Sequence, residues 1–250
     1  MKVLTFGSCL ARTTAVCYAR LYNAEVVSNV YHNRSDAFIG RFVDKAWKDY
    51  PKADVGKFIS EDDGKVKTEF TASVILNNQY PDKIGLHGIP EGKPLFDILD
   101  EQDIDLIIAD NHIDLGARLS SALGEPNAGV FLRYTDLVDE TSYWRTGDLL
   151  NVEEGVKSMQ RVLDYLHERL PKAKIAFINF PHNVYVGSEQ RIERTKDYEA
   201  LFNYDNALVI PCVDVPKEYQ THDRQHFTSH QYSFYAGVIY DYFRDKSIPV

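Results

Sequence analysis

The sequence contains few cysteines, and their number and spacing exclude two familiar architectures. Only Cys9, Cys17 and Cys212 are present in the chain. An odd and widely spaced set fits neither a disulfide framework nor a zinc ribbon. The histidines form no His-Glu-x-x-His or comparable ligand pattern, so we expect no metal and no bound cofactor. The cysteine usage predicts a reducing, cytoplasmic environment.

Long basic runs and long apolar runs are also missing. The chain has 28 Lys and Arg residues against 37 Asp and Glu residues, a net charge of −9. No basic run is long enough to follow a phosphate backbone, so we expect no nucleic-acid partner. No stretch approaches the ~20 apolar residues of a membrane span, and the apolar run at the N-terminus is too short for an export signal.

Short apolar runs are what the sequence does contain, and they alternate with helical patterns. Brief apolar runs bounded by helical segments are typical of buried parallel strands. The order predicts a three-layer α/β/α sandwich with a central five-stranded parallel sheet. The predicted strands are Lys2 to Phe6, Glu25 to Val30, Ile104 to Ala109, Lys174 to Phe180 and Ala207 to Val213.

Two helices have clear patterns. Apolar residues recur every three or four positions between Val152 and Leu170, after a capping-box-like start at Asn151 and before Pro171. A last helix is predicted near Gln231 to Arg244. The whole chain, 1–250, is predicted to form one domain. Many Gly and Pro residues interrupt 51–103, which we interpret as an irregular insertion that shapes a substrate pocket.

Polar residues follow several of the predicted strands. Ser8 follows the first strand, Asn111 the third, and Asp223 and His226 the fifth. Because ligands gather at the carboxyl ends of parallel strands, these residues are expected to share one edge of the sheet. Acyl transfer needs such a set, with Ser8 as nucleophile, His226 as base, Asp223 to orient the base and Asn111 as oxyanion donor.

Cys9 offers a rival nucleophile. A thiolate at a helix N-terminus is stabilised by the helix dipole, and Cys9 begins the helix that follows the first strand. Cysteine is also among the residues most often buried. The non-functional alternative is that Gly7-Ser8 forms an ordinary turn and that the Asp-x-x-His segment is a solvent-exposed loop. The shared sheet edge favours the functional interpretation, with Ser8 preferred over Cys9.

The order of these blocks resembles the SGNH (GDSL-like) hydrolase superfamily. Its last block, an Asp-x-x-His before a C-terminal helix, is similar to Asp223-Arg-Gln-His226. The Gly-Ser-Cys order of the first block resembles the GSCFA-type branch and relatives linked to surface polysaccharide biosynthesis. The resemblance implies a flavodoxin-like sandwich. The sequence departs from the pattern at two places. No glycine follows the second strand before Gly40, and Ala109 stands where the third block has a glycine, two residues before Asn111.

The segment after the second strand offers substitutes for the missing glycine. Asn33-Arg-Ser-Asp36 is similar to an Arg-Ser element of the polysaccharide-linked relatives. Ser35 has the backbone N–H that the missing glycine would supply, and Arg34 is expected either to bind an anionic substrate group or to form a surface salt bridge. His112 is placed in the pocket wall because it follows Asn111.

These expectations give a primary function and two alternatives. The primary expectation is a serine-dependent esterase of the SGNH type that acts on an acylated, for example acetylated, carbohydrate. The first alternative is an acetyltransferase of surface polysaccharide biosynthesis that uses an acyl-CoA as co-substrate. The second is a non-catalytic module that binds a sugar or nucleotide on the same scaffold.

Overall fold

A five-stranded parallel sheet forms the centre of the fold, as predicted. The structure, a computed structural model, describes residues 1–48, 76–89, 91–122, 129–131, 144–223 and 225–245. The strands in chain order are β1 (Lys2–Gly7), β2 (Glu25–Tyr31), β3 (Leu106–Asp110), β4 (Arg118–Ala122), β5 (Val130–Phe131), β6 (Trp144–Leu149), β7 (Lys174–Ile178) and β8 (Ala207–Ile210). The central sheet has the order β2-β1-β3-β7-β8, and β5-β4-β6 form a small antiparallel sheet.

All five predicted strands are present, with shifted ends. The third begins at Leu106 rather than Ile104, and the fourth ends at Ile178 rather than Phe180. The fifth ends at Ile210 rather than Val213, because Pro211 has no N–H to continue the ladder. The small antiparallel sheet was not anticipated.

Helices cover both faces of the central sheet. They are α1 (Cys9–Tyr22), α2 (Ser35–Phe38), α3 (Leu95–Glu101), α4 (His112–Gly116), α5 (Val152–Arg169), α6 (Glu189–Leu201) and α7 (Ser229–Asp245). The crossover through α1 leads from β1 to β2, and the crossover through α5 leads from β3 to β7, in the opposite direction along the sheet. Right-handed crossovers therefore place α1 and α5 on opposite faces. Helix α7 packs against α1, whereas α6 packs against α5.

The predicted helices are confirmed. Helix α5 buries Val156, Met159 and Leu163 among others, and the Asn151 side chain accepts hydrogen bonds from the N–H groups of Glu153 and Glu154. Helix α7 starts two residues before the predicted Gln231. None of the helices in the described ranges is both long and apolar enough to cross a bilayer.

Part of the predicted insertion at 51–103 lies outside the described residues, namely 51–75 and position 90. The described part contains α3 and a segment that packs along β2. The Asn78 side chain accepts a hydrogen bond from the backbone of Tyr31 at 2.8 Å, and Asn29 donates to the His87 carbonyl at 2.9 Å. This segment is thereby attached to the strand that ends beside β1. The single domain over 1–250 stays a prediction.

Candidate active site

The turn after β1 brings the first polar residues to the sheet edge. Gly7 has φ +147°, and a Cβ there would lie 2.6 Å from Oδ2 of Asp110, at the end of β3. Glycine therefore permits both the backbone conformation and the close approach of the buried Asp110 carboxylate. The chain then enters α1, with Ser8 as the N-cap and Cys9 as the first helical residue.

Cys9, His226 and Asp223 form a hydrogen-bonded chain at this edge. Nε2 of His226 lies 3.3 Å from Sγ of Cys9, and Nδ1 of the same ring lies 2.5 Å from Oδ2 of Asp223. The side chains of His226 and Asp223 are 36% and 40% exposed, so the imidazole is open to solvent on one side. A thiol, a base and a carboxylate in this order are the parts of a cysteine-dependent acyl-transfer site.

The loop before α7 fixes the Asp223 carboxylate. Oδ1 of Asp223 accepts hydrogen bonds from the Thr221 hydroxyl at 2.7 Å and from the backbone N–H groups of Gln225 and His226 at 3.1 and 3.0 Å. The Thr221 N–H in turn donates to the His226 carbonyl. The Asp-x-x-His spacing thus makes a closed turn that leaves Oδ2 for the imidazole.

The pKa values of His226 and Asp223 are both shifted toward the charged form of the side chain. The hydrogen bond to Cys9 raises the pKa of His226 to about 9; burial opposes this shift, and the bond to Asp223 adds to it. Burial alone would raise the pKa of Asp223, but hydrogen bonds from His226 and Thr221 outweigh it and lower that pKa below its usual range. His226 is therefore protonated at neutral pH, which suits an imidazolium facing a thiolate.

Ser8 does not take the place expected of it. Its side chain is buried, with the hydroxyl donating to Oδ2 of Asp110 at 3.0 Å and accepting from the N–H of Leu10 at 3.0 Å. Within the described ranges, no hydrogen bond joins Ser8 to His226. Ser8 lines the cleft together with His226, but its N-cap role turns the hydroxyl back over the first turn of α1, so the expected bond to the imidazole is not formed.

The oxyanion role of Asn111 is also not supported by its surroundings. Asn111 is fully buried; its Nδ2 donates to Oδ1 of Asn179 at 3.1 Å and its Oδ1 accepts from the N–H of Phe180 at 2.8 Å. The side chain therefore joins the ends of β3 and β7 and does not line the cleft. The competing structural bonds explain the difference from the sequence-based expectation.

The Arg34-Ser35 element points into the protein as well. The N–H and hydroxyl of Ser35 both donate to the buried Asp114 carboxylate, at 2.8 and 2.6 Å. Arg34 forms a two-pronged ion pair with Asp36, at 2.7 and 2.8 Å, and is itself buried. Burial raises the pKa of Asp114 to about 7, against the effect of the Ser35 hydrogen bonds. Neither residue lines the cleft. The ion pair of Arg34 corresponds to the salt-bridge alternative, although it is buried and not at the surface, and the N–H of Ser35 is bonded to Asp114.

His112 lies in the wall of the cleft, where the sequence placed it. Its ring stacks on Phe180 with centroids 4.0 Å apart, and Nδ1 lies 3.2 Å from the Tyr185 hydroxyl. The cleft holds about 250 Å³ beside Cys9 and His226.

Three arginines line the cleft and were missed by the sequence analysis. They are Arg118 on β4 and Arg191 and Arg194 on α6, and no carboxylate lines the cleft among the described residues. Arg191 lies over the Tyr185 ring, 5.6 Å from its centroid, and Arg194 donates to the backbone carbonyl of Leu115 at 2.9 Å. Arg118 also pairs with Asp148 at 3.5 Å, and Arg191 and Arg194 add positive charge to the cleft in a protein whose net charge is −9. An anionic ligand group would fit it.

No group of three or more His, Cys, Asp or Glu side chains in the described part of the chain is arranged to hold a metal ion.

Comparison of the sequence with models of protein families and with curated proteins found no match. Among solved structures, the chain is similar to an acetyl xylan esterase, Est2A, of the rumen bacterium Butyrivibrio proteoclasticus, at 12% identity and a TM-score of 0.44, over 98% of this chain and 63% of the other. It is also similar to a carbohydrate esterase family 2 enzyme with a carbohydrate-binding domain from Corynascus thermopiles (Myceliophthora fergusii), at 9% identity and a TM-score of 0.43, over 95% and 64%. The chain spans less than two thirds of the length of both proteins.

Proposed function

We propose that the protein is a cysteine-dependent acyltransferase in which Cys9 carries the acyl group between donor and acceptor. The single observation that supports this proposal is the 3.3 Å contact between Sγ of Cys9 and Nε2 of His226, with Asp223 behind the imidazole. Ser8, whose hydroxyl is committed to Asp110 and to the backbone, is assigned a structural role. The Gly-Ser-Cys order of the first block resembles that of the GSCFA-type branch, and in this proposal its third residue is the nucleophile.

The reaction has two steps. The Cys9 thiolate attacks the acyl carbonyl carbon, a C–S bond forms, and the bond to the leaving group breaks as the leaving atom takes the proton of the His226 imidazolium. The neutral imidazole then removes a proton from an acceptor hydroxyl, whose oxygen attacks the S-acyl carbon and releases the thiolate. The Asp223 carboxylate stabilises the imidazolium in both steps.

An acyl thioester with phosphate groups, such as an acyl-CoA, is the donor that suits the site. A thioester passes its acyl group readily to another thiolate, whereas the alkoxide of an oxygen ester is a much poorer leaving group than the Cys9 thiolate. The arginines of the cleft supply positive charge for phosphates, which guanidinium groups bind through paired hydrogen bonds. We propose a carbohydrate hydroxyl as the acceptor, in line with the polysaccharide-linked relatives of the first block.

Hydrolysis of an acylated carbohydrate is the second candidate function. The 36% exposure of the His226 side chain favours it, because water reaches the base that would activate it. The two functions share the S-acyl intermediate and differ in the molecule that removes the acyl group.

The donor experiment compares acetyl-CoA with an acetyl thioester that lacks phosphates and with p-nitrophenyl acetate. We expect kcat/KM to be at least about tenfold higher for acetyl-CoA than for the phosphate-free thioester, and this preference to shrink in Arg191→Ala. Lys196→Ala is the matched control, since Lys196 is an exposed cation on α6 that does not line the cleft. Turnover of the oxygen ester without turnover of either thioester would favour the hydrolase.

A further inference from the structure

Tyr31 places a second polar group on the Cys9 sulfur. Tyr31 is the last residue of β2, and the parallel register pairs it with Gly7 of β1. Gly7 is followed directly by Ser8 and Cys9, so Tyr31 lies next to the start of α1. Its hydroxyl lies 2.9 Å from Sγ of Cys9, closer than the imidazole of His226. Tyr31 as a whole residue is only 6% exposed. Since a thiolate can only accept, the tyrosine hydroxyl is the donor once Cys9 is ionised.

The Tyr31 ring is held on both faces. His32 stacks on one side with centroids 3.8 Å apart and 18° between the planes, and His87 stacks with centroids 4.0 Å apart and 11° between the planes. Burial, and to a smaller extent the charge of Arg12, lowers the pKa of His87 to about 4, so that ring is neutral at pH 7. The backbone N–H of Tyr31 is fixed by Asn78. The hydroxyl is thus aimed at the sulfur by its packing.

The donors expected for an oxyanion are occupied elsewhere. The Asn111 amide binds Asn179, and both donors of Ser35 bind Asp114. The Tyr31 hydroxyl, by contrast, contacts the Cys9 sulfur itself. It is therefore a donor beside the atom that attacks the acyl carbonyl.

Attack by the thiolate changes which atom attracts the hydroxyl proton. As the C–S bond forms, the sulfur lone pair enters the bond and the sulfur becomes a poor acceptor, while the carbonyl oxygen gains the negative charge. That oxygen is attached to the carbon bonded to Sγ, so it develops beside the atom that the hydroxyl already contacts. A fixed donor next to a developing charge stabilises the transition state.

We infer that Tyr31 is a further catalytic residue whose hydroxyl donates a hydrogen bond to the Cys9 thiolate at rest and to the oxyanion after attack. The proton stays on the tyrosine in both states, and only the hydrogen bond changes its acceptor. This inference rests on the proposed role of Cys9 as the nucleophile.

The test is the pH dependence of Cys9 alkylation in Tyr31→Phe, which keeps the stacked ring and removes the hydroxyl. Iodoacetamide reacts with the thiolate, and peptide masses separate Cys9 from Cys17 and Cys212. The other titrating groups near Cys9 stay in place, namely His226 from the loop before α7, Asp110 from β3 and Tyr232 from α7. Tyr240→Phe is the control, because Tyr240 stacks on Tyr22 and does not line the cleft.

We expect the alkylation midpoint to rise by about one pH unit in Tyr31→Phe and not in Tyr240→Phe, since a hydrogen bond to a charged group is lost. We also expect acylation by acetyl-CoA to slow at least about tenfold at a pH where Cys9 is ionised in both proteins. An unchanged midpoint in Tyr31→Phe, with acylation intact, would overturn the role of Tyr31 alone. A wild-type protein that forms no acyl adduct at Cys9 would overturn the proposed function, and the oxyanion role with it.

Discussion

Two groups of polar side chains lie at the same edge of the sheet, and they differ in their hydrogen-bond partners. In the buried group, Ser8, Asn111 and Ser35 bind Asp110, Asn179 and Asp114, respectively. In the cleft group, Cys9 and His226 contact each other and line a cavity that a ligand can enter. Ser8 also lines that cavity, but its hydroxyl is bonded to Asp110 and to the N–H of Leu10. A polar residue at the end of a strand is therefore suited to catalysis when its reactive atom contacts a base at the cleft, as Sγ of Cys9 does, and not when a buried group binds that atom.

Ser8 and Cys9 show this difference between neighbours in the chain. An N-cap side chain bonds to the N–H groups of its own helix, so its oxygen turns toward the first turn. The next residue is already helical, and its side chain leaves the helix in another direction. The cap therefore sends Ser8 inward to Asp110 and leaves Cys9 facing His226.

The largest expected effect on activity is that of Cys9→Ala, which removes the proposed nucleophile from the cleft group. We expect kcat/KM for acyl transfer to fall at least about a thousandfold, because the nucleophile of both steps is removed. Stability should change little, since the sulfur lies at the cleft. The measurement is a steady-state rate together with a thermal melt. Cys17→Ala, a substitution on the same helix that does not line the cleft, should keep its activity; comparable losses in both variants would contradict the assignment.

His226 gives a pH test of the cleft group. Because the bonds to Cys9 and Asp223 raise its pKa from 6.5 to about 9, the imidazolium is present below that pH and is lost above it. The acylation rate, which needs the imidazolium proton for the leaving group, should fall as the pH rises through about 9.

In His226→Asn the high-pH decline should vanish, and kcat/KM should drop roughly a hundredfold or more. His230→Asn, at an exposed position at the start of α7, is the control and should retain the wild-type profile. A wild-type profile that is flat through pH 9 would contradict the charged pair.

Asp223→Asn should have an intermediate effect. The amide oxygen can keep the backbone bonds of Oδ1, but its N–H group opposes Nδ1–H of His226 and favours the wrong tautomer. We expect kcat/KM to fall about tenfold to a hundredfold, less than in a fully buried triad, because the Asp223 side chain is 40% exposed. The high-pH limb should also move to lower pH. A full-activity variant would show that the carboxylate only shapes the loop.

Ser8→Ala tests whether a member of the buried group contributes to stability and not to activity. The loss of the cap and of one donor to Asp110 should lower the free energy of unfolding by about 1–3 kcal/mol, measured by denaturant titration. Activity of the folded protein should stay within about tenfold of wild type. Ser188→Ala is a matched control, since Ser188 precedes α6 without a side-chain capping bond. Abolished turnover in folded Ser8→Ala would restore the serine to the reaction.

The architecture could be predicted from the sequence, and so could the pairing of Asp223 with His226 in the candidate site. Apolar runs located all five parallel strands, and the cap at Asn151 located α5, because these signals are local. The Asp-x-x-His spacing likewise predicted that Asp223 could reach the imidazole of His226, as it does at 2.5 Å.

The rest depends on partners that are distant in the sequence. Nothing near Asn111 reveals that Asn179 will occupy its amide, and nothing near Ser35 reveals the bond to Asp114. Helix α6, which carries two of the cleft arginines, was missed because only Thr195 and Tyr198 are buried along it. So thin an apolar stripe gives almost no helical signal.

The most direct measurement is the mass of the protein after brief exposure to acetyl-CoA, followed by peptide mapping of the adduct. We expect one acetyl group, on Cys9, that is removed by hydroxylamine as a thioester and is absent from Cys9→Ala. An acetyl group on Ser8, still formed in Cys9→Ala, would contradict it.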